Sequence, residues 1–216
     1  MAELLVVRHG QASFGADNYD VLSDLGHQQS RVVGALLREM DWQPDRLLTG
    51  TLNRQKDTLA SMGFDQPPEE HAGFNEYDFA DLLNARFKGK VPNLVKADRK
   101  THFRTLRDTV FDWQDAAFDG ASETYAAFSA RVEAARRFAT DTTAKRVLVV
   151  SSGGVIGQMT AMALGAPNRQ MMHLNLQIKN TAMTRFMFSG PSFSVHEFNV
   201  TPHFMTAEGA KLLSYS

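Results

Sequence analysis

Glu3-Leu4-Leu5-Val6-Val7-Arg8-His9-Gly10-Gln11 decides the fold. An apolar, partly β-branched run of strand length stops at a cation, an imidazole and a glycine. A continuous apolar run bounded by a breaker predicts a strand covered on both faces, as in a parallel sheet. Ligands of open α/β sheets sit just beyond the carboxyl ends of such strands. Arg8 and His9 therefore fall at a crevice, with Gly10 allowing close backbone approach to whatever is bound. The tripeptide alone is weak evidence for a site and is also read as a surface turn bearing two polar residues.

Downstream, Ala12 to Asp20 reads as a polar loop. Ser23 is a predicted N-cap with Asp24 in the first turn, where the helix dipole favours it. Leu25, Val32, Val33, Leu36, Leu37 and Met40 recur at helical spacing and predict one core-facing stripe. Pro44 ends this pattern. Leu47-Leu48 predicts a second strand, Leu52 to Met62 a second helix, and Glu69 to Phe74 a third, edge-like strand after Pro67-Pro68. The order β-α-β-α-β predicts an α/β fold, a three-layer sandwich with a mostly parallel central sheet flanked by helices.

Ala80 to Asp119 is a charged helical insertion, with Leu82, Leu83, Phe87, Val95, Phe103, Leu106, Val110, Phe111 and Trp113 on its apolar face. Its position between core elements fits a cap over the site or a plain helical excursion. Ser122 is a predicted cap for a helix carrying Tyr125, Phe128, Val132, Ala135 and Phe138. Arg146 to Val150 is the strongest strand signal; it runs into Ser151-Ser152-Gly153-Gly154, with a helix from Val155. Thr181 to Phe188 and Phe193 to Phe198 flank Ser189-Gly190-Pro191-Ser192 and predict a hairpin. The stretch beyond Thr201 carries no readable pattern.

Composition narrows the function classes. The 216 residues include 43% hydrophobic and 22% charged ones, as in an ordinary globular protein, and suffice for one domain of residues 1–216. A formal charge of −1 gives no reason to expect nucleic acid or an anionic membrane as partner. The absence of cysteine excludes disulfides, thiolate nucleophiles and cysteine-based zinc sites, and suits a cytoplasmic location. The early first strand leaves no room for a signal peptide, and no apolar run reaches the roughly 18 residues of a spanning helix.

Two strands thus end in unusual polar loops. Ser151-Ser152-Gly153-Gly154 has the strand, glycine-rich turn and helix order that aims backbone N–H groups at an anion, though an ordinary tight turn has the same order. Arg54 follows the second strand. Arg8 and Arg54 could fork onto a phosphate, a geometry that suits guanidinium groups; Arg54 alone also fits a solvated helix face.

Together these segments resemble the histidine phosphatase superfamily, which includes the cofactor-dependent phosphoglycerate mutases. "VVRHGQ", "LSDLGHQQS", "LLTGTLNRQKDTL", "FNEYDF" and "VLVVSSGGVIGQM" are similar to the family's segments in the family's order, and "NTAMTRF" with "NVTPHF" to its closing hairpin. The resemblance implies a phosphomonoester phosphatase without cofactor or metal. His9 would attack phosphorus and form a phosphohistidine. Arg8 and Arg54 would hold the phosphoryl oxygens. Glu76 would protonate the leaving oxygen and later help activate water, with Asp78 as the fallback acid. The substrate would be a phosphorylated small molecule or a phosphoprotein.

The chain departs from the family pattern at Ser152, where the family has a second histidine, and at Ala12, where a hydroxyl residue is common. Ser152 would then be the remaining phosphate-binding donor on that wall. Losing a hydrogen bond to a charged group, about 1.5–3 kcal/mol, only in the transition state lowers a rate by roughly 10- to 150-fold. His27, His71, His102, His173, His196 and His203 lie in no segment that supplies a replacement. The alternative is a weak or inactive pseudoenzyme that binds a phosphorylated ligand or protein. Mutase activity is disfavoured because Ala12 to Asp20 lacks the mutases' asparagine- and tryptophan-containing run. A hydrolase built on Ser151 or Ser152 lacks the first glycine of Gly-x-Ser-x-Gly.

Overall fold

The structure is a computed structural model and describes residues 1–13, 20–93, 95 and 98–215. Most of the expected polar loop after Ala12 lies outside the described residues, as do 94, 96 and 97 of the insertion.

Strand β1 (Ala2–Arg8) runs from one residue before the expected start to the predicted end. Alternate side chains of a strand point to opposite faces, and here both faces are buried. Leu4 and Val6 enter one hydrophobic cluster, Leu5 and Val7 the other. The other strong apolar strand divides the same way, Val147 and Val149 against Leu148 and Val150. Two cores on two faces are what a three-layer sandwich requires, and they explain why these strands carry no polar alternation.

The sheet holds six strands in the order β3-β2-β4-β1-β5-β6. Here β2 is Arg46–Thr49, β3 Glu69–Glu70, β4 Arg146–Ser151, β5 Met183–Ser189 and β6 Ser192–Val200. Strands β3, β2, β4 and β1 are mutually parallel; β5 is antiparallel to β1 and forms the hairpin with β6. Helices α1 (Asp24–Glu39) and α2 (Asn53–Met62) pack on one face. Helices α3 (Phe79–Phe87), α4 (Arg99–Gln114), α5 (Tyr125–Thr140), α6 (Gly153–Ala163) and α7 (Arg169–Asn175) contribute to the other core. No helix among the described residues is long and apolar enough to cross a membrane.

Several local expectations need correction. Ser23 caps α1 as predicted, its hydroxyl accepting the Gly26 N–H at 3.1 Å. Val33 and Leu37 are buried, but Met40 is the C-cap and lies 57% exposed, because the helix ends before the stripe's last position. Only Glu69–Glu70 of the expected third strand pairs. The chain then turns through Ala72–Phe74, capped by the His71 ring, which drives Phe74 fully into the core. Helix α5 is capped by Thr124, not Ser122, whose N–H and hydroxyl both donate to Asp81 at the start of α3. The hairpin starts at Met183 because Thr181 takes a left-handed φ of 53°.

The insertion folds as α3 and α4. Arg86 ties them together, donating to the Thr109 hydroxyl at 2.9 Å and pairing with Asp112. Leu82, Leu83, Val95, Val110 and Trp113 are buried, whereas Phe87 and Phe103 stay half-buried. The chain beyond Thr201 also returns to the body. After a short helix, α8 (Ala207–Ala210), Gln29 of α1 donates to the Leu212 carbonyl and to Ser214.

Candidate active site

The parallel register pairs Arg8 with Ser151, so β1 and β4 end side by side. The next residues, His9 and Ser152, begin the two loops, and the His9 N–H donates to the Ser151 carbonyl at 2.9 Å. The two polar loops read from the sequence therefore leave the sheet side by side, with the α2 and α6 N-termini beside them. Gly10 is needed for a different approach from the one expected. A Cβ there would lie 2.5 Å from the Gly26 carbonyl oxygen, so the glycine admits helix α1.

His9 is 3% exposed and its ring is fixed from both sides. Nδ1 lies 2.8 Å from the Gly10 carbonyl oxygen, which can only accept. Nε2 faces the Arg54 Nε–H at 3.3 Å, which can only donate. The consistent assignment is a neutral imidazole with its proton on Nδ1 and a lone pair on Nε2. Burial, then the charges of Arg54 and Arg8, hold the His9 pKa well below 6.5. The loop is anchored as well: the Gly10 N–H donates to Thr58, and Asn180 donates to the His9 carbonyl.

Arg8 and Arg54 are 8% and 7% exposed. Arg8 donates to the Ile178 carbonyl. Arg54 Nη1 pairs with the Asp20 carboxylate at 2.9 Å. Glu76 lies across from the α6 N-terminus, where Oε2 accepts the Gly154 N–H at 2.9 Å and Oε1 the Tyr77 N–H at 3.2 Å. Burial raises its pKa above 4.5 against the opposing pull of the Gly154 N–H and both arginines. Tyr77 is wedged between Trp113 and Phe128, ring centroids 5.5 and 5.7 Å away, so α4 and α5 buttress the segment that carries Glu76. Asp78 points elsewhere; it is exposed and caps α3 through the Asp81 N–H.

Ser152 is fully buried at the N-cap of α6. Its hydroxyl accepts from Gln55 Nε2 at 2.8 Å, and the same Nε2 donates to the Phe74 carbonyl at 2.8 Å. Gln55 Oε1 is buried and without a partner among the described residues. The Ser151 hydroxyl donates to the Phe74 carbonyl, and neither serine hydroxyl bonds a histidine side chain among the described residues. Of the other histidines, His27 meets Ser61, His71 stacks on Phe138, His102 meets the Val95 carbonyl, His173 lies against Phe111 and His203 meets Thr181. His196 is exposed on β6.

The structure thus brings His9, Arg8, Arg54, Glu76 and Ser152 to one end of the parallel strands. Sequence reading missed Asp20, Gln55, Thr58 and Asn180. Gln55 and Thr58 had a signal, since they lie one and four residues from Arg54 on the same helix. Asp20 and Asn180 had none, because their partners are distant in the chain.

The model of the histidine phosphatase superfamily (branch 1) matches residues 4–201. The chain belongs to that superfamily. Among curated proteins no match is found. Solved structures share the fold at low identity. The α-ribazole phosphatase from Shigella flexneri has a TM-score of 0.68 at 22% identity, covering 92% of this chain and 96% of that one. A mutant phosphoserine phosphatase from Entamoeba histolytica, in complex with phosphoserine, gives 0.67 at 19%, covering 94% and 99%. A mycobacterial glucosyl-3-phosphoglycerate phosphatase gives 0.67 at 18%, covering 93% and 100%.

Proposed function

We propose that this protein is a phosphomonoester phosphatase working through phospho-His9, at an attenuated rate. The observation that carries the reading is the His9 ring: neutral, with its Nε2 lone pair facing the buried Arg54 Nε–H and the charge of buried Arg8 acting on it. Nε2 attacks phosphorus, and the bond to the leaving oxygen breaks as Glu76 gives that oxygen its proton. The Nδ1–H, held on the Gly10 carbonyl, steadies the ring as it becomes cationic. Water then attacks the phosphohistidine while the Glu76 carboxylate takes its proton, releasing phosphate and restoring both groups. Arg8 and Arg54 bind the phosphoryl oxygens, Arg54 exchanging its contact with Nε2 for one of them.

Ser152 supplies a hydroxyl where the family's second histidine would stand, and it cannot carry charge. The whole chain is one domain, with residues 80–119 capping the site and bearing on substrate choice. The neighbours' names refer to phosphoserine and glucosyl-3-phosphoglycerate, which favours a phosphorylated small molecule over a phosphoprotein. The reaction needs no cofactor, nucleic acid or membrane, and the cysteine-free chain fits the cytoplasm.

One observation favours a second reading, a pseudoenzyme that binds a phosphorylated ligand without turnover. The Ser152 hydroxyl is buried and already engaged by Gln55. Hydrolysis of p-nitrophenyl phosphate by the purified protein and its His9→Ala variant separates the readings. Turnover lost in His9→Ala supports the phosphatase. Phosphate or vanadate binding without turnover supports the pseudoenzyme.

A further inference from the structure

Asp20 sets a carboxylate against Arg54, one of the two arginines proposed to bind the phosphoryl oxygens. Its Oδ2 accepts the Asn53 N–H at 2.9 Å, and its Oδ1 accepts the Arg54 N–H at 3.3 Å and Arg54 Nη1 at 2.9 Å. One carboxylate therefore caps the first turn of α2, where Leu52 offers no side-chain cap, and grips the guanidinium carried by that turn. The other side of the same guanidinium reaches His9, Nε to Nε2 at 3.3 Å. Arg54 spans the gap between a carboxylate and the ring. A planar guanidinium held at Nη1 has its Nε–H direction restricted.

We propose that Asp20 is a positioning residue: it orients Arg54 so that Nε aims at His9 and later at the phosphoryl oxygen on that atom. The proposal rests on the phosphatase reading for its kinetic consequences, while its effect on the His9 ring does not depend on turnover. It also explains how a buried cation can sit beside a neutral histidine, since Asp20 partly balances its charge. Among the described residues, the charged groups acting on this region are Arg8 from β1, Arg54 from α2, and Glu76 from the segment after the third-strand turn, whose carboxyl interacts with both arginines. From the turn before β5 the uncharged Asn180 donates to the His9 carbonyl.

The test compares Asp20→Ala with Asp20→Asn, in which an amide oxygen can still accept from the α2 N-terminus. The readouts are the His9 ring nitrogen resonances as pH is varied, p-nitrophenyl phosphate kinetics, and vanadate binding. In Asp20→Ala, loss of the carboxylate charge alone lowers the His9 titration further, whereas release of Arg54 from Nε2 raises it; with Arg54 released, the net movement is upward, toward 6.5, the ordinary histidine value. The rate constant kcat falls by roughly tenfold while KM changes less, and Asp20→Asn recovers part of both. A structural role limited to capping α2 would lower Tm in Asp20→Ala, leave kcat in place and move the His9 titration no higher than in the wild type, which overturns the proposal. A rise in kcat with tighter vanadate binding would also overturn it, by marking Asp20 as an internal competitor for the phosphate. If the wild-type protein shows no turnover, the phosphatase reading fails, and the ring titration still decides the role of Asp20.

Discussion

Glu76 and Gly154 are held together at the first turn of α6, the carboxylate Oε2 accepting the Gly154 N–H at 2.9 Å. There is no space for a side chain between them. A Cβ on Gly154 would lie 2.2 Å from Glu76 Oε1 and 2.5 Å from the Tyr77 ring, which cannot retreat because Trp113 and Phe128 pack around it. Gly154→Ala is therefore expected to push the carboxyl out of place and lower kcat toward the level of Glu76→Gln. Loss of a general acid costs roughly 10²- to 10⁴-fold. The loss should be larger for alkyl than for aryl phosphates, whose leaving groups need less protonation. Equal losses on both substrates would contradict the assignment of Glu76 as the acid.

The pH profile follows from the two titrating groups. His9 must be neutral to attack, and its pKa is held well below 6.5, so activity persists where an ordinary histidine would be protonated. Glu76 must be protonated to act as acid, and its pKa is raised above 4.5, so activity falls as pH rises through that value. A bell in kcat/KM is expected, with its acid limb below pH 6.5 and its alkaline limb above pH 4.5. The measurement is the kcat/KM profile corrected for ionisation of the substrate. An acid limb at or above pH 6.5 would contradict the environment assigned to His9.

Ser152→His offers an imidazole to the wall that now holds only a hydroxyl. Gln55 donates to Ser152 and to the Phe74 carbonyl, so a larger group at 152 must displace it. The single substitution is expected to gain little. Ser152→His combined with Gln55→Ala, which makes room, should raise kcat by roughly tenfold over Gln55→Ala alone, in line with one hydrogen bond to a charged group. Steady-state kinetics of the double-mutant cycle checks this, and no gain would mean the histidine is not what limits the rate.

How much of this was legible in the sequence depends on the range of the cause. Strands β1 and β4 could be read because burial on both faces leaves an unbroken apolar run, and Ser23 because capping is local. Glu69–Glu70 could not be bounded, since an exposed two-residue edge strand has no apolar signature. Ser122 and Thr124 are equally good caps locally; Asp81, 41 residues away, takes Ser122 and leaves the cap to Thr124. Among site residues, Arg8, His9, Arg54 and Glu76 follow strand ends or turns and carry a family resemblance. Asp20 and Asn180 act through contacts that no spacing encodes.

His203 predicts a pH-dependent stability separate from activity. Burial lowers its pKa to about 4, and its Nε2 lies 3.1 Å from the Thr181 hydroxyl, which itself donates to the Asn180 carbonyl. Because the unfolded chain binds the proton more readily, the protein loses stability as pH falls from about 6.5 toward about 4, by up to about 3 kcal/mol at the bottom of that range. Urea unfolding of the wild type and His203→Gln between these limits checks it. The variant should be less stable at neutral pH and lose less on acidification.

The central claim is that His9 carries the phosphoryl group between substrate and water. Rapid acid-free quenching during turnover of a phosphomonoester, followed by peptide mass spectrometry under alkaline conditions, tests it directly. The expected result is a phosphoryl group on the peptide containing His9, appearing at the rate of leaving-group release and absent from His9→Ala, which does not turn over. Turnover that persists in His9→Ala would contradict it.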